Sequence, residues 1–262
     1  MRTLVSFSGG LDSTYVLWKL LATTDDEVTA VFFDDRYQSE SDFSGRTRPE
    51  ISGYQEIVVN NIAEWLKTNV RGFSLEKKNI ISFAEDETRE IYAIRNYAAP
   101  LINNNQADRI AFGNVWIPLA QRRAAGIPED ILKLPMVSHA AYRAFESAAN
   151  RGSIYFPLAE KDIGKATIIS EMPMALQNLS VSCISPLVDS MGSIISCGVC
   201  KKCKDVQFFR TKLGEGIPPL EVENLRNVSR RSGDSSYRAK LKEGIWENVS
   251  ESYEPPFYRS SG

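Results

Sequence analysis

Apolar and polar positions along the chain fall into alternating short blocks. Thr3-Leu4-Val5-Ser6-Phe7 is a β-leaning run that breaks at Gly9-Gly10, and helical apolar spacing follows from Ser13 to Leu21. This predicts a strand, a tight loop and a helix. Val28-Thr29-Ala30-Val31-Phe32-Phe33 is almost continuously apolar and stops at Asp34-Asp35, which suits a parallel strand covered on both faces. Residues 34 to 50 are polar and predict a long loop. After it the pattern predicts a helix from Ile51 to Val70, a strand from Ile80 to Phe83, a helix from Arg95 to Asn105 and a strand from Arg109 to Gly113. Strands alternating with helices in this way predict βαβ units and a doubly wound, mainly parallel sheet, with ligands beyond the carboxyl ends of its strands.

Beyond Gly113 the pattern is less regular. Pro118, Gly126, Pro128 and Pro135 mark a loop or lid, followed by a predicted helix from Val137 to Ala149 and a short strand from Ile154 to Phe156. A further helix would be capped by Asp162 and entered at Lys165. Cys183 to Cys203 reads as irregular. Gly214 to Gly262 is rich in Pro, Ser and Gly, with no strong period apart from Arg238 to Trp246, and reads as a partly disordered extension. The expected organisation is an α/β domain over 1–182, a cysteine segment over 183–213 packed on it, and an extension over 214–262.

Composition narrows the class. The 262 residues are 43% hydrophobic and 24% charged, the values of an ordinary globular protein. No run approaches the roughly 18 apolar residues of a membrane span, and the N-terminus enters strand at once, so a cytoplasmic protein is expected. A net charge of −2 argues against a dedicated nucleic-acid binder, whose binding face carries a strong basic excess. The basic pairs Arg122-Arg123, Lys201-Lys202 and Arg230-Arg231 read first as solvated faces. The one histidine, His139, reads as structural.

Ser8-Gly9-Gly10-Leu11-Asp12-Ser13 sits at the first strand-to-helix turn. Two successive glycines let backbone N–H groups converge, and the following helix adds its unpaired amides and the positive end of its dipole. Ser8 and Ser13 can donate hydroxyls to phosphate oxygens, while Asp12, acceptor-only when ionised, suits Mg²⁺ or water. A plain turn with a serine cap is the simpler reading, but five specified positions recur by chance only about once in a million windows. No Gly-Lys-Ser/Thr follows, so the segment is not a Walker A loop, and it lacks the Gly-x-Gly-x-x-Gly dinucleotide fingerprint.

All four cysteines fall in one segment: Cys183, Cys197, Cys200 and Cys203. A Cys-x-x-Cys-x-x-Cys run with a fourth cysteine upstream can converge on one tetrahedral ion with none left over, and structural Zn²⁺ is the expected occupant. An iron–sulfur cluster uses the same ligand type, so spacing leaves it open. Disulfides do not suit a cytosolic enzyme of this size.

The SGGxDS loop resembles that of the N-type ATP pyrophosphatases, the PP-loop superfamily with a Rossmann-like, adenine nucleotide α-hydrolase fold. Joined to Ser182-Cys183 and Cys197-Gly198-Val199-Cys200-Lys201-Lys202-Cys203, it resembles the 7-cyano-7-deazaguanine synthase, or QueC-type, family over residues 3 to 213. Looser matches are Arg95-Asn96, the strand ending at Gly113, and Pro157-Leu158 followed by Lys165. The resemblance implies a carbon–nitrogen ligase. It would adenylate the carboxylate of 7-carboxy-7-deazaguanine, release pyrophosphate, let ammonia displace AMP, and use a second ATP to reach the nitrile. It also implies that Ser8, Gly9, Gly10, Leu11, Asp12 and Ser13 hold ATP with Mg²⁺, that Arg95 and Lys165 face phosphate, that Phe33 and Gly113 line the nucleotide, and that the protein forms a homodimer.

Two departures bear on the substrate. The family's Asp-x-Ser-Gly-Tyr-Pro-Asp stretch after the Gly113 strand is replaced by Asn114-Val115-Trp116-Ile117-Pro118, and its Tyr-Gly-Gln after the second strand by Asp35-Arg36-Tyr37-Gln38. The C-terminal segment is also longer than in typical synthases. Antiviral-defence relatives spend the same activated carboxylate on a protein amine, and a rebuilt lid with an added tail would suit such an acceptor.

Overall fold

The computed structural model describes residues 1–34, 48–79, 89–113, 154–161, 163–183, 186–188 and 193–233. Strand β1 (Arg2–Ser6) forms the centre of a five-stranded sheet. On one side lie β2 (Glu27–Asp34) and then β3 (Ser74–Asn79); on the other lie β4 (Arg109–Ala111) and then β5 (Ile154–Tyr155). All four pairings are parallel, with Thr3 opposite both Val28 and Arg109. Chain order therefore runs outward from β1 to β3, then returns to β1's other edge at β4. This reversal places a topological switch point between the carboxyl ends of β1 and β4, where sheets of this kind bind ligands.

Alternate side chains place helices on both faces of the sheet. Val5, Ala30 and Phe32 pack with Tyr15 and Val16 of α1 (Leu11–Thr23) and with Val58, Ile62 and Leu66 of α2 (Arg48–Asn69). Their neighbours Leu4, Val31 and Phe33 face Ile94, Ala98 and Ile102 of α3 (Arg89–Asn103). The period-2 side-chain direction of a strand makes this possible, and it is why β1 and β2 read as unbroken apolar runs. The expected doubly wound α/β sheet is thus what the chain forms.

Among the described residues, five helices follow β5: α4 (Pro157–Glu160), α5 (Lys165–Glu171), α6 (Met174–Leu179), α7 (Lys201–Gly214) and α8 (Pro219–Gly233). Here the pattern misled in several places. The third strand lies at Ser74–Asn79, ahead of the expected Ile80–Phe83, which falls outside the described residues. Its sequence SLEKKN sits at the sheet edge, where side chains stay partly wet and only the backbone ladder identifies a strand. The cysteine segment is not wholly irregular, since β6 (Leu187–Val188) and β7 (Ile194–Ile195) pair antiparallel within it and Cys203 lies in α7.

The stretch after Gly214 contains α8, with Pro219 at its first position, where the missing N–H costs nothing. Among its residues with described side chains, Val222 is the apolar one that enters the core completely, too sparse a stripe to register as helical periodicity. The expected features over 114–153, at Asp162 and over 234–262 lie outside the described residues, and the cap position of α5 is held by Gly164.

At the opposite end of the sheet, a charged cluster ties β1 to β2 and β4. Thr3 Oγ1 donates to Asp26 Oδ2 at 2.6 Å, Arg109 Nη2 donates to the same oxygen at 2.8 Å, and Arg109 Nε donates to Thr3 Oγ1 at 3.0 Å. Burial alone would raise the Asp26 carboxyl; the bonds from Thr3 and Arg109 outweigh it and hold the carboxyl below the ordinary range. A group depressed in the folded state stabilises above its unfolded value near ~3.9, and that contribution is lost as pH falls through the lower folded value. Asp26→Asn is therefore expected to cost about 3 kcal/mol in urea unfolding at pH 7. Its deficit relative to wild type should shrink below about pH 4.

Candidate nucleotide and metal site

Where β1 ends, the chain turns through residues 7–10 into α1. Gly9 has φ +73°, and a Cβ there would lie 2.9 Å from Val58 Cγ1, so glycine is required both by conformation and by space. Ser13 Oγ donates to Gly10 O at 3.1 Å and accepts the Ser8 amide at 3.3 Å. With Ser13's proton directed to Gly10, the Ser8 hydroxyl is the donor in the 3.2 Å contact between the two serines. The loop is thus braced from within. It presents its glycine backbone and two hydroxyls at the switch point beside β1.

Beside it, β4 leads through Phe112 to Gly113. A Cβ on Gly113 would lie 2.6 Å from both the N and Cα of Ser13 and 2.9 Å from Asp12 C. The strand exit and the first turn of α1 therefore touch backbone to backbone. This contact fixes the spacing of the two segments at the sheet's switch point.

Two further residues came to the loop unforeseen or only half foreseen. Ser182, which precedes Cys183, accepts the Leu11 amide through its Oγ at 2.8 Å, while Val181 N donates to Gly9 O at 3.1 Å. Gly10, the N-cap of α1, has no side chain to do this, so the cap comes from a segment 171 residues away. Lys165 opens α5, and its Nζ pairs with an Asp12 carboxylate oxygen. Both side chains are mostly buried, at 18% and 29% exposure, which lessens solvent screening of the pair. Loop amides, hydroxyls, one carboxylate and one lysine thus converge, an arrangement able to bind a phosphate chain with its counter-ion.

Phe33 is buried at the end of β2 and meets Tyr97 edge to face, with ring centroids 5.9 Å apart. Arg95 lies within α3, and its side chain falls outside the described residues.

The four cysteine sulfurs all lie within 4.8 Å of one another. Cys183 and Cys200 approach to 3.9 Å, Cys197 and Cys203 to 4.0 Å, and Cys200 and Cys203 to 3.4 Å. Thiolates at ~2.3 Å from a central tetrahedral ion stand about 3.8 Å apart, so the donor set fits one thiophilic metal ion. Backbone N–H groups of Cys197, Cys200 and Cys203 already point at neighbouring sulfurs at 3.3 to 3.5 Å, which favours the thiolate form. Burial, and then the hydrogen bond with Cys200, push the Cys203 thiol up from its usual value. Metal loading must displace that proton and should weaken as pH falls. Cys200→Ser is expected to lower metal content, read by elemental analysis, and to reduce the melting temperature by about 10 °C.

A parallel sheet carrying Ser8-Gly9-Gly10-Leu11-Asp12-Ser13 at its switch point, with a lysine facing the loop, is the fold and loop of the PP-loop ATP pyrophosphatase class. The family model described as Queuosine biosynthesis protein QueC matches residues 2–208, and the chain belongs to that family. Membership indicates an ATP-using enzyme of the 7-deazaguanine or related PP-loop type, acting on a small molecule. A search of curated proteins finds no significant match. Among solved structures, the U34-tRNA thiolase NcsA from Methanococcus maripaludis with its [4Fe-4S] cluster is 11% identical, over 96% of this chain and 73% of that one, with a TM-score of 0.42. Among the described residues, no helix is long and apolar enough to cross a membrane.

Proposed function

We propose that the protein activates the carboxylate of 7-carboxy-7-deazaguanine with ATP. A carboxylate oxygen attacks the α-phosphorus, the bond to the β-phosphate bridging oxygen breaks, and pyrophosphate leaves with its electron pair. An amine nitrogen then attacks the acyl carbon, and AMP departs with the former carboxylate oxygen. With ammonia the product is the amide, and a second adenylation, on the amide oxygen, followed by loss of AMP and protons gives the nitrile. The observation that carries this reading is the family match over a chain whose glycine loop and Lys165–Asp12 pair meet at the sheet's switch point.

The residues divide the work. The amides of Gly9 and Gly10 and the hydroxyls of Ser8 and Ser13 would grip the phosphates, with Leu11 holding the turn through its amide bond to Ser182, and Lys165 would face the departing pyrophosphate, where negative charge accumulates. Asp12 is the carboxylate placed to hold Mg²⁺, which would offset phosphate charge when bound. Arg95 is the second proposed phosphate cation, with Phe33 and Gly113 beside the nucleotide. The cysteines would hold Zn²⁺. Thiolates of a four-iron cluster sit on separate irons and stand farther apart than these sulfurs do.

The acceptor is ammonia or, on a defence-type branch, a protein amine. All four cysteines belong to the metal cluster, which leaves none to carry sulfur and weighs against a tRNA-thiolating reading. Purified enzyme incubated with ATP, 7-carboxy-7-deazaguanine and ammonia should yield AMP, pyrophosphate and the nitrile by mass spectrometry. Formation of AMP only when a protein partner is added would assign the conjugating branch. Splitting of ATP into ADP and orthophosphate alone would refute the proposal.

A further inference from the structure

Both helices that open at the site begin with a glycine cap and lack a side-chain cap of their own. For α1 the acceptor is Ser182. For α5 it is Glu223, on α8, whose Oε1 accepts the Ala166 amide at 2.6 Å. Glu223 is 8% exposed, and a Cβ at position 164 would sit 2.5 Å from Oε1 and 2.8 Å from the carboxylate carbon. Gly164 and Glu223 therefore specify one another. The glycine removes the ordinary cap, and the carboxylate fills its place from another helix.

Withdrawing a carboxylate from water is costly, and a hydrogen bond from a backbone amide at a helix start, with the dipole behind it, offsets part of that cost. The helix so held begins at Lys165, one residue before Ala166, and Lys165 is the side chain that reaches Asp12. The support is itself anchored. Val222 is fully buried beside Glu223, Arg226 pairs with Asp205 of α7, and the Arg226 guanidinium lies 5.2 Å from the centre of the Phe208 ring. Helix α8 lies wholly beyond the family match, which ends at residue 208.

We infer that Glu223 is a positioning residue for the phosphate-facing lysine: it fixes where α5 starts and so holds the Lys165 ammonium against the loop. This rests on the reading of Lys165 as a cation that contacts the nucleotide. The C-terminal helix thereby becomes part of the nucleotide site's framework.

The test uses the full-length, metal-loaded protein and a non-hydrolysable ATP analogue, with affinity read by titration calorimetry. Glu223→Met keeps bulk but removes the acceptor and is expected to weaken binding roughly tenfold, whereas Glu223→Gln, whose amide oxygen can still accept, should stay within about twofold. Lys165→Met should weaken binding too, and adding Glu223→Met to it should cost nothing further, because one effect runs through the other. Equal weakening by Glu223→Met in both backgrounds would show a general structural role and overturn the inference, as would wild-type affinity of Glu223→Met while Lys165→Met binds weakly. Wild-type affinity of Lys165→Met would remove the site reading and the inference with it. Should Glu223→Met not fold, Glu223→Gln decides, because a tenfold loss in that variant contradicts the acceptor role.

Discussion

Lys165→Met is expected to reduce pyrophosphate release by roughly 10²- to 10³-fold, the cost typical of removing one preorganised group from a developing charge. The pyrophosphate leaving group gains negative charge as its bond to the α-phosphorus breaks, and Lys165 faces the loop that would hold it. Substitution also strands Asp12, whose paired cation is gone, so the loop would meet ATP with an unopposed carboxylate. Lys165→Arg should recover only part of the rate, because a planar fork does not replace a compact ammonium. Steady-state measurement of pyrophosphate decides the matter. An undiminished rate in Lys165→Met would remove this residue from the mechanism.

Gly113→Ala should be nearly as damaging by an unrelated route. The added methyl would lie 2.6 Å from two backbone atoms of Ser13, which belong to the first turn of α1 and cannot rotate aside. Either β4's exit or the helix start must shift, and overpacking of this kind costs about 3 kcal/mol. The shift also moves Ser13 and Asp12, so nucleotide binding should be lost together with stability. A control is available in Gly72, where a Cβ meets nothing within 4 Å. Gly72→Ala should leave the unfolding free energy in urea unchanged within ~0.5 kcal/mol. Comparable losses in both variants would show that close approach at Gly113 is not the cause.

The glycine turn and the cysteine cluster were legible because the turn's residues are consecutive and three of the four cysteines follow at three-residue spacing, so glycine conformation and ligand spacing are written directly in the letters. The central strands were equally plain, since burial on both faces demands continuous apolar runs at Leu4-Val5 and Val28–Phe33. Edge strand β3 was misplaced because its stability comes from a backbone ladder that any side chain permits. Helix α8 was missed because its described contact with the rest of the protein includes Glu223, a polar residue whose burial makes sense only opposite Gly164.

By itself, then, the sequence determined a doubly wound sheet, the glycine turn at Gly9-Gly10 and a cluster of four cysteines able to hold a metal. Tertiary structure alone decided how they join. Ser182 reaches Leu11 across 171 positions and Glu223 reaches Ala166 across 57. Gly113 meets Ser13 because β4 returns to the side of β1 away from β2. The physical reason is range: turn chemistry and periodicity act within one or two helical turns, whereas a cap or close approach from a distant segment exists only once topology has brought the two together.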